Sequence, residues 1–212
     1  MDKVSALWRA PAESATESAP GVEGNSRLTS ATGTVLLVML AVEGYTILNV
    51  RGLITLHIFL GVMLVGPVLL KTGSTIYRFF RYYRGDANYV RKGPPNIVLR
   101  VIGPLVTISS LSVLGTGIGL LAVHDQGSLV LTAHKASFIV WVALMTVHVL
   151  GHLREALVTT WQELRQRSRR QVLRLSLIGI AIVAGVGLAA ALLPSATSWT
   201  HRAPDSGHHR EH

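Results

Sequence analysis

The sequence predicts an all-α integral membrane protein, a bundle of about five transmembrane helices. Hydrophobic residues make up 49% of the 212 residues and charged residues only 15%, whereas a soluble domain carries about 25% charged residues. The mean hydropathy is +0.42. Five stretches are long and apolar enough to cross a bilayer, which needs about 20 residues of helix. Strict alternation of apolar and polar residues, typical of a membrane β-barrel, is absent.

The five stretches are separated by more polar segments. In order, they cover residues 30–49, 53–76, 97–123, 129–151 and 172–193. Gly66 and Pro67 interrupt the second stretch, and such a pair predicts a kink in a helix. The fifth stretch is rich in Ala and Gly, which is typical of a helix that packs closely against its neighbours.

Two polar tails flank the apolar stretches. Residues 1–29 are rich in Ala, Ser, Glu and Gly and predict a disordered cytoplasmic tail without a signal peptide. We expect the four-helix membrane core at residues 30–160, and a basic loop with the fifth transmembrane helix at 161–193. Residues 194–212 form a polar tail with several His, and weak metal binding there is the alternative to a solvated end.

The formal charge of +9 is concentrated in two connections. Residues 78–100 hold six basic residues against one acid, and residues 152–174 hold six against two. The positive-inside rule places both connections in the cytoplasm, so the N-terminus is cytoplasmic and the C-terminus lies outside. We expect these connections to face anionic membrane lipid. No nucleic-acid-binding motif accompanies them, so nucleic acid is not an expected partner.

The candidate functional residues are histidines inside the apolar stretches. The sequence has no Cys, which excludes disulfides, iron–sulfur clusters, thiol catalysis and Cys-ligated zinc. An ionisable residue inside a bilayer is costly and indicates a function. His57, His134 and His148 lie in such positions, and Lys71 and Glu43 are the other ionisable residues there.

The depths of these residues predict one complete site. His57 lies about four residues into the second helix and His134 about five into the fourth, so both lie near the outer face. A haem iron held by two His needs this equal depth. His148 lies fourteen residues after His134, within about 40° of the same helix face. The corresponding position after His57 is Lys71, so the inner site lacks one His.

Glycines and basic residues surround the predicted sites. Gly103 and Gly117 are fourteen residues apart on the third helix, and Gly44 on the first helix is expected near the outer site. Gly lets a backbone approach a flat macrocycle, although ordinary helix packing uses Gly as well. Arg51 and Lys135 are expected near the outer site, where they either neutralise haem propionates or snorkel to the interface.

The segments TLHIFLG (55–61) and AHKASFIVWVALMTVHVLGH (133–152) carry a family resemblance. The chain resembles the four-helix cytochrome b superfamily of the bc complexes and of bacterial dehydrogenase membrane anchors. In that superfamily, two helices each carry two His about fourteen residues apart, and glycines flank the haems. The resemblance implies one haem b held by His57 and His134, while His148 matches one iron ligand of a second, inner haem. It also implies a bacterial plasma-membrane location. Lys71 stands where the superfamily has its fourth His.

Under this interpretation the chain transfers electrons between quinone and a partner subunit of an oxidoreductase complex. The sequence has no NAD fingerprint and no flavin-binding domain, so it is at most an electron-transfer subunit. A quinone is the alternative ligand near His148, as is a hydrogen bond from His148 to Lys71. Two other functions remain open. One is a proton-coupled transporter that uses Glu43, Lys71 and the histidines as a relay. The other is a structural or assembly subunit without haem, whose His only form hydrogen bonds.

Overall fold

The computed structural model describes residues 20–91, 97–123, 129–165, 169–196 and 199. These residues form helices and contain no strand, and five helical segments are long and apolar enough to cross a membrane. The all-α prediction is therefore confirmed. The helices are α1 (Pro20–Leu48), α2 (Ile54–Met63), α3 (Val65–Tyr83), α4 (Ala87–Arg91), α5 (Ile97–Val123), α6 (Leu129–Arg165) and α7 (Arg169–Leu192), followed by a 3-10 turn at Leu193–Ala196.

The first helix begins earlier than the sequence predicts. It starts at Pro20 rather than near residue 30, so residues 20–29 are helical and the predicted boundary of the disordered tail is wrong. Polar contacts explain the extension. Asn25 Nδ2 donates to the carbonyl of Ser74 on α3 (3.2 Å), and the hydroxyls of Thr29 and Ser74 lie 2.9 Å apart. Residues 1–19 and 200–212 lie outside the described part of the chain.

The second membrane span consists of two helices, α2 and α3, with a break at Leu64. Pro67 has no N–H group, so the carbonyl of Met63 lacks the donor that a regular helix would give it. The interruption lies three residues before Pro67, in the span where the sequence predicts a kink.

Glycines bring α7 into direct contact with the break. A Cβ atom added at Gly66 would collide with the carbonyl oxygen of Ala181 on α7, and one added at Gly185 would collide with the carbonyl oxygen of Met63. The two backbones therefore touch at two reciprocal points. Such close approach by small residues is typical of helix packing in membranes and agrees with the packing surface predicted for the fifth helix.

The first four spans form a ring, and α7 lies outside it. α1 packs against α2, α3 and α6, and α5 packs against α6 and α2. The two diagonal pairs, α2 with α6 and α1 with α5, are not packed side by side. α7 packs against α2 and α3. The helices that carry His57 and His134 therefore face each other across the ring.

The apolar core lies between α2, α5 and the end of α7. Val62, Leu121 and Ala189 are buried in one cluster. Trp199 extends this cluster, since its indole N–H donates to the carbonyl of Leu120 (3.2 Å). The cluster joins α7 to the ring at the end where the connections between spans are short.

α5 and α6 run antiparallel in one continuous register. The indole N–H of Trp141 donates to the hydroxyl of Ser110 (2.9 Å), and a Cβ on Gly117 would lie 3.1 Å from Cε1 of His134. Both contacts are consistent with one antiparallel register. This register predicts which residue of α6 lies opposite each residue of α5.

This register divides the polar residues into two layers. Gly103 lies fourteen residues before Gly117 on α5, and His148 lies fourteen residues after His134 on α6. The register therefore places Gly103 opposite His148. The α1 side repeats the offset, because His57 and Lys71 are also fourteen residues apart and both contact α1. The His57 layer comprises Glu43, Thr46, His57, Gly117 and His134; the Lys71 layer comprises Thr29, Gly33, Lys71, Gly103 and His148. Fourteen residues of helix separate them by about 21 Å.

Candidate functional site

His57 is held by a carboxylate on the neighbouring helix. Its Nδ1 lies 2.8 Å from Oε1 of Glu43 and 3.0 Å from the hydroxyl of Thr46. Glu43 is only 8% exposed and Thr46 is fully buried. The Thr46 hydroxyl donates to the Glu43 backbone carbonyl (2.6 Å), so its oxygen is free to accept from His57. The ring is therefore fixed through an Nδ1–H group.

His134 is held by neutral groups on α5. Its Nδ1 lies 3.2 Å from the carbonyl oxygen of Val113 and 3.1 Å from the hydroxyl of Thr116. A carbonyl oxygen can only accept, so Nδ1 carries the proton and Nε2 keeps its lone pair. Gly117 lies against this ring, and any larger residue there would displace it.

The two imidazoles have the form that metal-ligating His residues take. Such residues usually donate Nδ1–H to a carboxylate or a carbonyl, which orients the ring and leaves Nε2 for the metal. In the described part of the chain, Nε2 of neither His57 nor His134 forms a hydrogen bond. His134 lies within electrostatic range of both His57 and Glu43. The structure therefore brings the predicted pair into one layer.

The two imidazoles match in number the protein ligands that a haem iron takes. Among the described residues, no group of three or more His, Cys, Asp or Glu could hold a metal ion. A haem iron takes four ligands from the porphyrin, so two protein imidazoles complete its coordination. The two imidazoles are carried by diagonal helices of the ring.

The Lys71 layer is built differently. The ammonium group of Lys71 donates to the carbonyl of Thr29 (3.1 Å) and lies close to Gly33, whose added Cβ would be 2.8 Å from Nζ. Lys71 forms no hydrogen bond to His148, although the two lie within electrostatic range. If Lys71 took the place of the fourth His as a cofactor-binding residue, its side chain would have to turn away from α1.

His148 lacks the support that His134 has. Its Nδ1 is buried and has no hydrogen-bond partner among the described residues. Its ring lies against that of His152, with the ring centroids 4.9 Å apart. Gly103 is half-buried, and nothing lies within 4 Å of a Cβ added there. The second site therefore lacks both the fourth His and a held Nδ1–H group.

The remaining predicted residues lie at the surface near the His57 layer. Gly44 is exposed, with nothing within 4 Å of an added Cβ, so the expectation that it lines the site is wrong. The neighbouring Glu43 takes the inward face, and a step of 100° per residue turns Gly44 away. Arg51 and Lys135 are exposed, and their proposed role toward propionates stays a prediction.

Sequence reasoning missed the groups that hold the two rings. It found Glu43 but did not pair it with His57, and it did not find Thr46, Val113 or Thr116. One signal was present: Glu43 and Thr46 are three residues apart and share a helix face. The Val113 carbonyl is a backbone group, which no residue type reveals.

Comparisons with protein-family models, with curated proteins and with solved structures found no match to this chain. The geometry of the His57 layer is therefore the main support for any function.

Proposed function

We propose that the chain is a b-type cytochrome-like electron-transfer protein of a membrane, in which His57 and His134 hold one haem b. One observation carries this proposal. Both imidazoles, on helices that face each other across the ring, have Nδ1 held by an acceptor and Nε2 without a hydrogen bond in the described residues. This is the arrangement that axial His ligands need.

The chain's own residues have distinct roles in this proposal. A bound haem supplies one-electron chemistry, and the protein supplies ligation, orientation and a low-dielectric surrounding. Glu43 orients His57 and makes its Nε2 a stronger electron donor. Gly117 leaves space at the ring of His134. Arg51 and Lys135 are exposed basic groups at the same end, where they offset the charge of the propionates.

The location and partners are also part of the proposal. The resemblance to the cytochrome b superfamily favours a plasma membrane of bacterial type, and the positive-inside rule favours an orientation with the His57 layer near the outer face. A single haem there favours electron exchange with quinone or with a partner subunit at that face. The Lys71 layer supplies no second pair of held imidazoles, so transfer across the whole bilayer is not proposed.

A spectrum tests the proposal directly. Protein purified from haem-sufficient cells should show the α-band typical of b haems in a reduced-minus-oxidised spectrum. His57→Ala and His134→Ala should each abolish the band, because each removes one axial ligand. His148→Ala should keep it. A wild-type protein that is folded by circular dichroism and shows no α-band would exclude the proposal.

Gly117 offers a second prediction with a matched control on the same helix. Gly117→Val should lower the haem content, because its side chain would enter the space of the His134 ring, 3.1 Å from the added Cβ. Gly115→Val should leave the haem content unchanged, since nothing lies within 4 Å of a Cβ at Gly115. The measurement is the pyridine haemochrome content per protein. Equal loss in both variants would contradict the placement of Gly117 at the site.

Proton transport is the second candidate, and the buried Glu43–His57 pair favours it. A carboxylate and an imidazole in contact inside a membrane form a common proton relay. Proteoliposomes that contain the haem-free protein would acidify in response to an imposed potential, and Glu43→Gln would abolish the flux. If neither haem nor flux is found, the structural or assembly role remains.

A further inference from the structure

Lys71 carries an ammonium group inside a membrane span without a carboxylate partner. In the part of the chain that the structure describes, its Nζ donates one hydrogen bond, to the Thr29 carbonyl. Gly33 leaves no room for a second group on that side. A charge buried without a counter-ion is costly. The haem proposed for the other layer does not use this group.

His148 presents a second unsatisfied group in the same layer. Its Nδ1 is buried and unpartnered within the described residues, and it lies within electrostatic range of Lys71. Buried polar atoms in proteins nearly always have a partner. An unpartnered imidazole nitrogen in the same layer as an ammonium group without a carboxylate partner indicates a place for a further polar group.

The packing leaves space for such a group. α3 is not packed against α6 and makes few contacts with α5. Gly103 on α5 lies opposite His148 in the helix register, and a Cβ added there would have nothing within 4 Å. In the His57 layer, Gly117 is the equivalent residue, and the His134 ring occupies the space in front of it. The position in front of Gly103 is therefore open, whereas the position in front of Gly117 holds the His134 ring.

We propose that Lys71 and His148 bind an oxyanion, a phosphate or carboxylate group, in the space in front of Gly103. The ammonium group supplies the compensating charge and the imidazole supplies a hydrogen bond, so one oxyanion satisfies both. A cation is disfavoured, because a metal on His148 would lie near the Lys71 charge. The same oxyanion chemistry occurs in an anionic lipid headgroup, in a fatty acid and in free phosphate.

The source of the oxyanion can be separated by the choice of probe. Purified protein in neutral detergent would be titrated with dioleoyl phosphatidylglycerol, with oleate and with inorganic phosphate, with dioleoyl phosphatidylcholine as the zwitterionic reference. Native mass spectrometry would measure the bound fraction. Tight binding of the lipid probes alone would identify an amphiphile. Tight binding of inorganic phosphate would identify a free anion.

Variants decide whether the proposed site is responsible. Lys71→Met should weaken binding of the preferred probe about tenfold or more, the loss expected for a charge-assisted hydrogen bond. Leu69→Met is the control, because this uncharged side chain is exposed on the same helix, two residues before Lys71. It should change binding only slightly.

Gly103→Leu keeps the proposal testable if Lys71→Met does not fold. Its side chain should fill the open space and weaken binding, whereas Gly115→Leu on the same helix should not. The proposal is overturned if the anionic probes bind no better than phosphatidylcholine. It is also overturned if folded Lys71→Met or Gly103→Leu binds the preferred probe as tightly as the wild type, or if Leu69→Met weakens binding as much as Lys71→Met does. None of these measurements depends on haem, so failure here and failure of the proposed electron transfer are distinguishable.

Discussion

Gly66→Ala and Gly185→Ala are each expected to detach α7 from the ring and to destabilise the protein by about 2–4 kcal/mol. The added methyl group would meet a backbone carbonyl, at Ala181 or at Met63. A backbone cannot move aside as a flexible side chain can, so the two helices must separate. The higher helix propensity of alanine offsets only about 1 kcal/mol of this loss.

Two other glycines of α7 are matched controls. Gly179 and Gly187 are exposed and have nothing within 4 Å of an added Cβ. Their alanine variants should be neutral or stabilised by up to about 1 kcal/mol. Unfolding in mixed micelles of increasing SDS content would measure all four variants. If Gly179→Ala and Gly185→Ala lose the same stability, α7 does not dock through Gly185.

Glu43→Ala is expected to lower haem affinity about 10–100-fold, the usual effect of removing the group that holds a ligating His. His57 would lose the acceptor 2.8 Å from its Nδ1 and with it a fixed ring orientation. Glu43→Gln should retain haem, because the amide oxygen still accepts from Nδ1–H. The lost negative charge should raise the midpoint potential by an amount on the order of tens of millivolts, since less electron density reaches the iron.

Thr116→Val on the opposite side of the site is the control for Glu43. The His134 ring would keep the Val113 carbonyl as its acceptor, and no charge would be lost. Its midpoint potential should therefore stay nearer to that of the wild type. A redox titration of the α-band measures the three proteins. A potential in Glu43→Gln equal to that of the wild type would mean that Glu43 does not act on the iron through His57.

Most of the membrane fold can be predicted from the sequence. Apolar stretches of about 20 residues predict spanning helices, because a helix forms all its backbone hydrogen bonds within one segment and unpaired N–H and C=O groups are costly in lipid. The five predicted spans agree with the structure, and the second span is interrupted at Leu64, near Pro67. The start of α1 at Pro20 was missed, because Asn25 and Thr29 are polar and their contacts with Ser74 lie across the helix interface. Hydropathy cannot reveal such contacts.

The candidate site was predictable in depth but not in detail. Equal depth and a fourteen-residue step placed His57 with His134 and His148 with Lys71, and both neighbourhoods agree with the structure. Depth placed Gly44 near the outer site, but Gly44 is exposed and Glu43 is buried, because depth does not give rotation about the helix axis. The direction of Lys71 toward Thr29 depends on a side-chain torsion, which residue spacing does not determine.

The break at Leu64 has a consequence for the order of biosynthesis. Pro67 deprives the Met63 carbonyl of its helical donor, and the surface that covers this carbonyl is Gly185 on the last membrane helix. At about 5–20 residues per second, residues 64–184 take roughly 6–24 s to synthesise. During that interval, the Met63 carbonyl of the nascent second span must be covered by another partner, either water or the insertion machinery. The rate of translation therefore sets the shortest time for which this carbonyl stays uncovered before α7 can dock.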